Sequence, residues 1–209
     1  MSTDLHRRGR LFVIAAPSGT GKTSLVRALM ERSPSLAFSI SHTTRKPRPN
    51  EIDGRDYHFT DRARFEAMIG NGEFLEYAEV FDNLYGTGKH SVEAALDAGR
   101  DLLLEIDWQG AAQVRQHLPE AIDVFILPPS RAALEQRLRG RGTDSEDVIQ
   151  RRLMESVTEL SRWHEFRYVV VNEHFDRALS DLQHIVDGDA GAFRSDRPEV
   201  QRFAESLVA

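Results

Sequence analysis

Residues 12–25 read FVIAAPSGTGKTSL, and this stretch constrains the fold more than any other. An apolar run stops at small residues, which lead to one lysine and two hydroxyls. Apolar residues then recur at 25, 26, 28 and 29. The run predicts a buried strand over 11–16, and the later spacing predicts a helix over 22–32 laid on a sheet and closed by Pro34. Strand, turn and helix in that order point to an α/β domain with a central parallel sheet.

The turn nearly matches G-x-x-x-x-G-K-[ST], with Ala16 at the first glycine position. A methyl group is tolerated there while the residue keeps strand geometry. Glycines let successive N–H groups turn inward around an anion, and the helix start adds unpaired donors and its positive dipole end. Pro17, Ser18, Gly19, Thr20, Gly21, Lys22, Thr23 and Ser24 thus form a candidate phosphate cradle. Lys22 supplies a point charge near β- and γ-phosphates, and Thr23 can set its hydroxyl on Mg²⁺. A dinucleotide site is disfavoured, because no G-x-G-x-x-G is present. The cradle alone leaves kinases, NTPase motors and switches open.

Composition narrows the setting. The chain has 209 residues, no cysteine, and 27 basic against 33 acidic side chains, for a formal charge of -6. That length suits one domain with insertions or two small ones. Thiolate zinc sites and cysteine nucleophiles are excluded. The negative balance offers a nucleic-acid polymer no general attraction. No apolar run approaches the roughly 20 residues of a membrane span, and the short run after MSTDLHRRGR is too brief for a signal-peptide core. A cytoplasmic enzyme with no membrane or nucleic-acid partner is expected. The oligomeric state is left open, a homodimer included.

Further along, residues 36–60 are polar, with Pro47, Pro49 and Gly54, and predict short strands joined by turns. DRARFEAMIGNGEFLEYAEV predicts a helix capped by Asp61, a break at GNG, and a strand; Arg64 stands where a capping box wants glutamate. Ser91 is expected to cap the next helix and Gly99 to stop it. DLLLEID (101–107), AIDVFIL (121–127) and FRYVVV (166–171) predict central strands, with a short helix at AAQVRQHL between the first two. Helices are expected at 130–139, 144–162 and 176–186, and a small one after Pro198.

Ser41 to Pro49 (SHTTRKPRP) packs hydroxyls and three cations into nine residues, and Tyr57 follows. Arg45 and Arg48 carry the planar fork that grips phosphate in two places. A solvated basic loop is the alternative; the prolines argue for a fixed shape, which favours a phosphate site.

At this point the chain resembles the guanylate kinase family. The resemblance rests on APSGTGKT, FSISHTTRKPRPNEIDGRDYHF, GEFLEYAEVFDNLYGT, LLLEIDWQG, FILPPS, RLRGRGTDSEDVIQRRL and VVVN, spread over residues 10–187. It implies transfer of a phosphoryl group from ATP, with Mg²⁺, to GMP. It assigns Ser41, Arg45, Arg48, Tyr57 and Tyr85 to the acceptor phosphate, and Glu76, Thr87 and Asp107 to guanine. Glu105 sits at the same acidic strand end, towards substrate or hydrated Mg²⁺. Arg137, Arg141 and Arg152 match lid arginines that close on the transferring phosphoryl, and Asn172 is placed on the adenine side. The implied organisation is a three-layer core (1–40, 95–131 and 161–209), a small mixed α+β insertion that binds the monophosphate (41–94) and a helical lid (132–160). Two rivals are weaker. Another small phosphorylated acceptor is disfavoured by Glu76, Thr87 and Asp107, and a non-catalytic scaffolding module by Lys22, Thr23 and the lid arginines.

Overall fold

The computed structural model describes residues 7–80, 82–140 and 146–208. In chain order the elements are β1 (Leu11–Ala15), α1 (Lys22–Arg32), β2 (Leu36–Phe38), β3 (His42–Thr43), β4 (His58–Phe59), α2 (Arg62–Gly70), β5 (Phe74–Val80), β6 (Asn83–Gly88) and α3 (Lys89–Asp97). They continue as β7 (Asp101–Glu105), α4 (Trp108–His117), β8 (Ile122–Leu127), α5 (Arg131–Arg139), α6 (Glu146–Leu160), β9 (Tyr168–Val171), α7 (Phe175–Asp187) and α8 (Pro198–Val208). One sheet has the order β2-β7-β1-β8-β9, and its β1–β8, β2–β7 and β8–β9 pairs are parallel. A second, mixed sheet runs β4-β3-β6-β5. The α/β class with a central parallel sheet is therefore as the strand–turn–helix pattern predicted.

The chain forms two compact units. The first comprises Met1–Leu11, Ser35–Leu104 and Gln109–Ala121; the second comprises Phe12–Pro34, Glu105–Trp108 and Ile122–Ala209. In the second unit, the apolar runs of β1, β8 and β9 supply buried strands, as continuous apolar segments do in parallel sheets. The α7 helix buries Ala178, Leu179, Leu182, Ile185 and Val186 along one stripe.

The first unit has its own small core, in which Phe65, Phe74 and Leu84 are buried with Met68 and Ile69 against them. Phe65 and Phe74 stack at 4.5 Å between centroids. Gly86 is required there, because a Cβ at that position would lie 2.9 Å from the Phe74 ring. Asp61 caps α2 as expected, accepting from the Arg64 N–H at 2.8 Å.

Several boundaries differ from the sequence reading. Ser91 is not a cap: α3 begins after Gly88, and the Ser91 hydroxyl bonds back to the Gly88 carbonyl at 2.8 Å. The α4 helix starts at Trp108, ahead of the apolar pattern that marked it. The FRYVVV strand keeps only Tyr168–Val171, because the chain before it winds into a 3₁₀ turn at Trp163–Glu165. After Pro198 the helix is longer than a small closing turn and spans 11 residues. Arg131 donates to its last carbonyls, Leu207 at 2.6 Å and Val208 at 3.0 Å, where a cation suits the helix C-terminus.

Candidate active site

In the second unit the turn after β1 forms a braced loop. Gly21 has φ 88° and precedes α1 with no side-chain cap, so the helix start keeps its backbone donors for a ligand. A Cβ on Gly21 would stand 2.7 Å from Asn172 Nδ2, so glycine is demanded by both dihedral and space. The buried Thr20 hydroxyl donates to the Pro17 carbonyl at 2.9 Å. The Thr20 carbonyl accepts from Asn172 Nδ2 at 2.6 Å and from Arg137 Nη1 at 3.3 Å. Arg137 Nη2 also donates to the Asn172 carbonyl at 2.9 Å. Asn172 is buried, and its amide holds the loop backbone. Two residues expected to meet nucleotide directly, Asn172 and Arg137, thus also shape the loop that would hold it.

Lys22 and Thr23 meet the end of β7. Lys22 Nζ donates to the Ile106 carbonyl at 2.9 Å and lies 3.9 Å from Glu105 Oε1. The Thr23 hydroxyl donates to that same oxygen at 2.6 Å. A hydroxyl beside a carboxylate is an oxygen-donor pair of the kind Mg²⁺ takes while keeping most of its shell for phosphates and water. Glu105 and Asp107 both belong to this unit, with the loop.

One carboxylate here had no signal in the sequence. Glu159, near the end of α6, accepts from the Ser18 N–H at 3.2 Å. Burial pushes its carboxyl up to about 7, with Asp107 and Glu155 adding repulsion against the opposing pull of the Ser18 N–H and Lys22. Arg152 lies seven residues earlier on the same helix and is half-buried. Arg141 lies outside the described residues.

The first unit carries a second polar cluster. Glu76, 3 % exposed, accepts from the fully buried Thr87 hydroxyl at 2.5 Å. The two residues sit opposite each other in the β5–β6 ladder. Thr87 Oγ1 also lies 3.3 Å from Ser41 Oγ. Arg45 stacks over the Tyr57 ring at 5.3 Å, and the Tyr57 and Tyr85 rings lie 6.0 Å apart. Ser41 and Arg45, which flank β3, are therefore gathered with Glu76 on β5, Tyr85 and Thr87 on β6, and Tyr57 in the turn before β4. Arg48 is exposed beside them.

Glu51 is the member of this cluster that sequence reasoning missed. Its two oxygens take Arg45 Nη2 at 2.9 Å and the Arg48 N–H at 2.7 Å. The Arg45 bond holds the Glu51 carboxyl below its ordinary value and raises Arg45 in turn. A glutamate three residues after Arg48 was the available signal. His42, on β3 beside this cluster, is half-buried. Its Nδ1 has no hydrogen-bond partner among the described residues, and burial lowers its pKa first, with His58 adding repulsion.

Residues 8–189 match the family model described as guanylate kinase. The chain belongs to the guanylate kinase family. It is similar to the guanylate kinase of Alkalilimnicola ehrlichii, 54 % identical over 200 residues that cover 96 % of this chain and 98 % of that one. The guanylate kinase of Methylococcus capsulatus is 54 % identical over 201 residues, with the same coverage. Among solved structures, the fold is similar to guanylate kinase from Anaplasma phagocytophilum, with TM-score 0.73, 32 % identity and 88 % of each chain covered. Among the described residues, no helix is long and apolar enough to cross a membrane. The matched residues 8–189 include both polar clusters, the loop around Lys22 in one unit and the buried Glu76 with Arg45 in the other.

Proposed function

We infer that this chain transfers the γ-phosphoryl group of ATP to GMP, giving ADP and GDP. The observation that carries the acceptor is Glu76, a buried carboxylate oriented by Thr87 in the unit that also holds Arg45. Guanine presents N1–H and N2–H₂ side by side, a donor pair that one carboxylate can accept. Adenine lacks that pair and would leave buried acceptors unpaired. Asp107 is read as a second guanine acceptor, and Ser41, Arg45, Arg48, Tyr57 and Tyr85 as the grip on the acceptor phosphate.

ATP is assigned to the loop of residues 17–24, with Lys22 facing its β- and γ-phosphates. Thr23 and Glu105 are the oxygen donors assigned to Mg²⁺. When bound, the ion neutralises charge on the triphosphate oxygens. The chain's own residues do the rest. Lys22 and the lid arginines Arg137, Arg141 and Arg152 spread positive charge over the transferring group, and closure of residues 132–160 removes water. A phosphate monoester has its second pKa near 6, so the acceptor is already ionised near neutrality. Catalysis is then alignment and charge stabilisation, with no general base or covalent nucleophile. Residues 41–94 are read as the acceptor-binding insertion. Both substrates belong to the nucleotide pool of the cytoplasm, where this reading places the enzyme.

The test is product analysis with ATP and GMP, with and without Mg²⁺. GDP and ADP in equal amounts, only when the ion is present, are expected. Binding of both nucleotides without turnover would overturn the assignment.

A further inference from the structure

The β5 strand is the edge of its sheet, and Glu76 lies on it directly after a register irregularity between Phe74 and Glu76. An edge strand with a break in its ladder is poorly held along its own length. The next residue, Tyr77, pairs with Gly86 on the inner side and is 41 % exposed, so its side chain anchors little. Its backbone is held instead. The Tyr77 N–H donates to Gln113 Oε1 at 3.1 Å, and Gln113 Nε2 donates to the Tyr77 carbonyl at 2.7 Å. A carboxamide offers one donor and one acceptor in a plane, as a peptide group does. Gln113 thus acts as a one-residue strand completing the outer edge of β5. Its helix, α4, is itself anchored by the buried Ala111 and Val114.

We propose that Gln113 is a positioning residue for guanine selection: its amide clamps the Tyr77 backbone and so sets where the adjoining Glu76 carboxylate stands. The proposal rests on the reading of Glu76 as the guanine acceptor. Gln113 touches no substrate and acts only through Glu76, which makes its effect conditional on that residue.

The experiment is a double-mutant cycle on the full chain with Gln113→Ala, Glu76→Ala and the pair, measuring KM for GMP and for ATP separately. Losing two backbone hydrogen bonds should raise KM for GMP about tenfold and leave KM for ATP within about twofold. In the Glu76→Ala background, Gln113→Ala should add less than about twofold. Gln113→Met keeps the volume and removes both bonds, so it must reproduce the split if Gln113→Ala folds poorly. The proposal is overturned by an unshifted KM for GMP in folded Gln113→Met. It is equally overturned by a full Gln113 penalty that persists without Glu76, or by KM for both substrates rising together. An unchanged GMP preference in Glu76→Ala alone would remove the guanine reading itself, and this proposal with it.

Discussion

Replacing Glu159 with glutamine should make the protein less sensitive to pH, and the size of the effect follows from the buried carboxylate. Its carboxyl is pushed from an ordinary 4.5 to about 7, first by burial. Below the lower value, both the folded and the unfolded chain carry the proton. Between the two values the unfolded chain has released it and the folded chain still holds it, so folding loses ground as pH rises. Above about 7 both are ionised and the penalty is constant. At about 1.4 kcal/mol per pH unit, this interval gives a ceiling of about 3 kcal/mol. Glu159→Gln keeps an oxygen to accept the Ser18 N–H and removes the titration. Urea unfolding of both proteins from about pH 5 to about pH 8 measures the difference. The variant should gain on the parent progressively, reaching about 2–3 kcal/mol at the upper end. A difference that stays flat across the range would refute a buried, proton-holding Glu159.

Two further substitutions test the loop. Lys22→Ala removes charge aimed at the transferring phosphates, and turnover should fall on the order of 10²–10³-fold. Its thermal midpoint should stay within about 4 °C, and near-normal turnover would take the role away from the lysine. Gly21→Ala forces a side chain into φ 88° and places its Cβ 2.7 Å from the Asn172 amide. It should cost about 1–3 kcal/mol of stability, read by denaturant unfolding, and wild-type stability would contradict the strained turn.

What was legible in the sequence was local. The loop could be read because strand, glycines, lysine and helix are contiguous, and the structure places Lys22 and Thr23 together against the end of β7. Asp61 was legible as a cap for the same reason. Ser91 was misread because a serine in the first turn can bond back to a carbonyl as readily as it can cap, and only the backbone path distinguishes the two. The braces around the site join distant residues. Asn172 and Thr20 are 152 apart in the chain, Glu159 and Ser18 141, and Gln113 and Tyr77 36. No periodicity links such pairs. Glu76 and Thr87 were found through family resemblance, because cross-strand register leaves no local mark on either residue.

On the proposed reading, the buried Glu76 carboxylate selects guanosine monophosphate as the acceptor. The most direct test is the ratio of kcat/KM for GMP to that for AMP, measured at saturating MgATP. A preference for GMP of at least about 10³-fold is expected; equal efficiency with the two acceptors would take guanine selection away from Glu76.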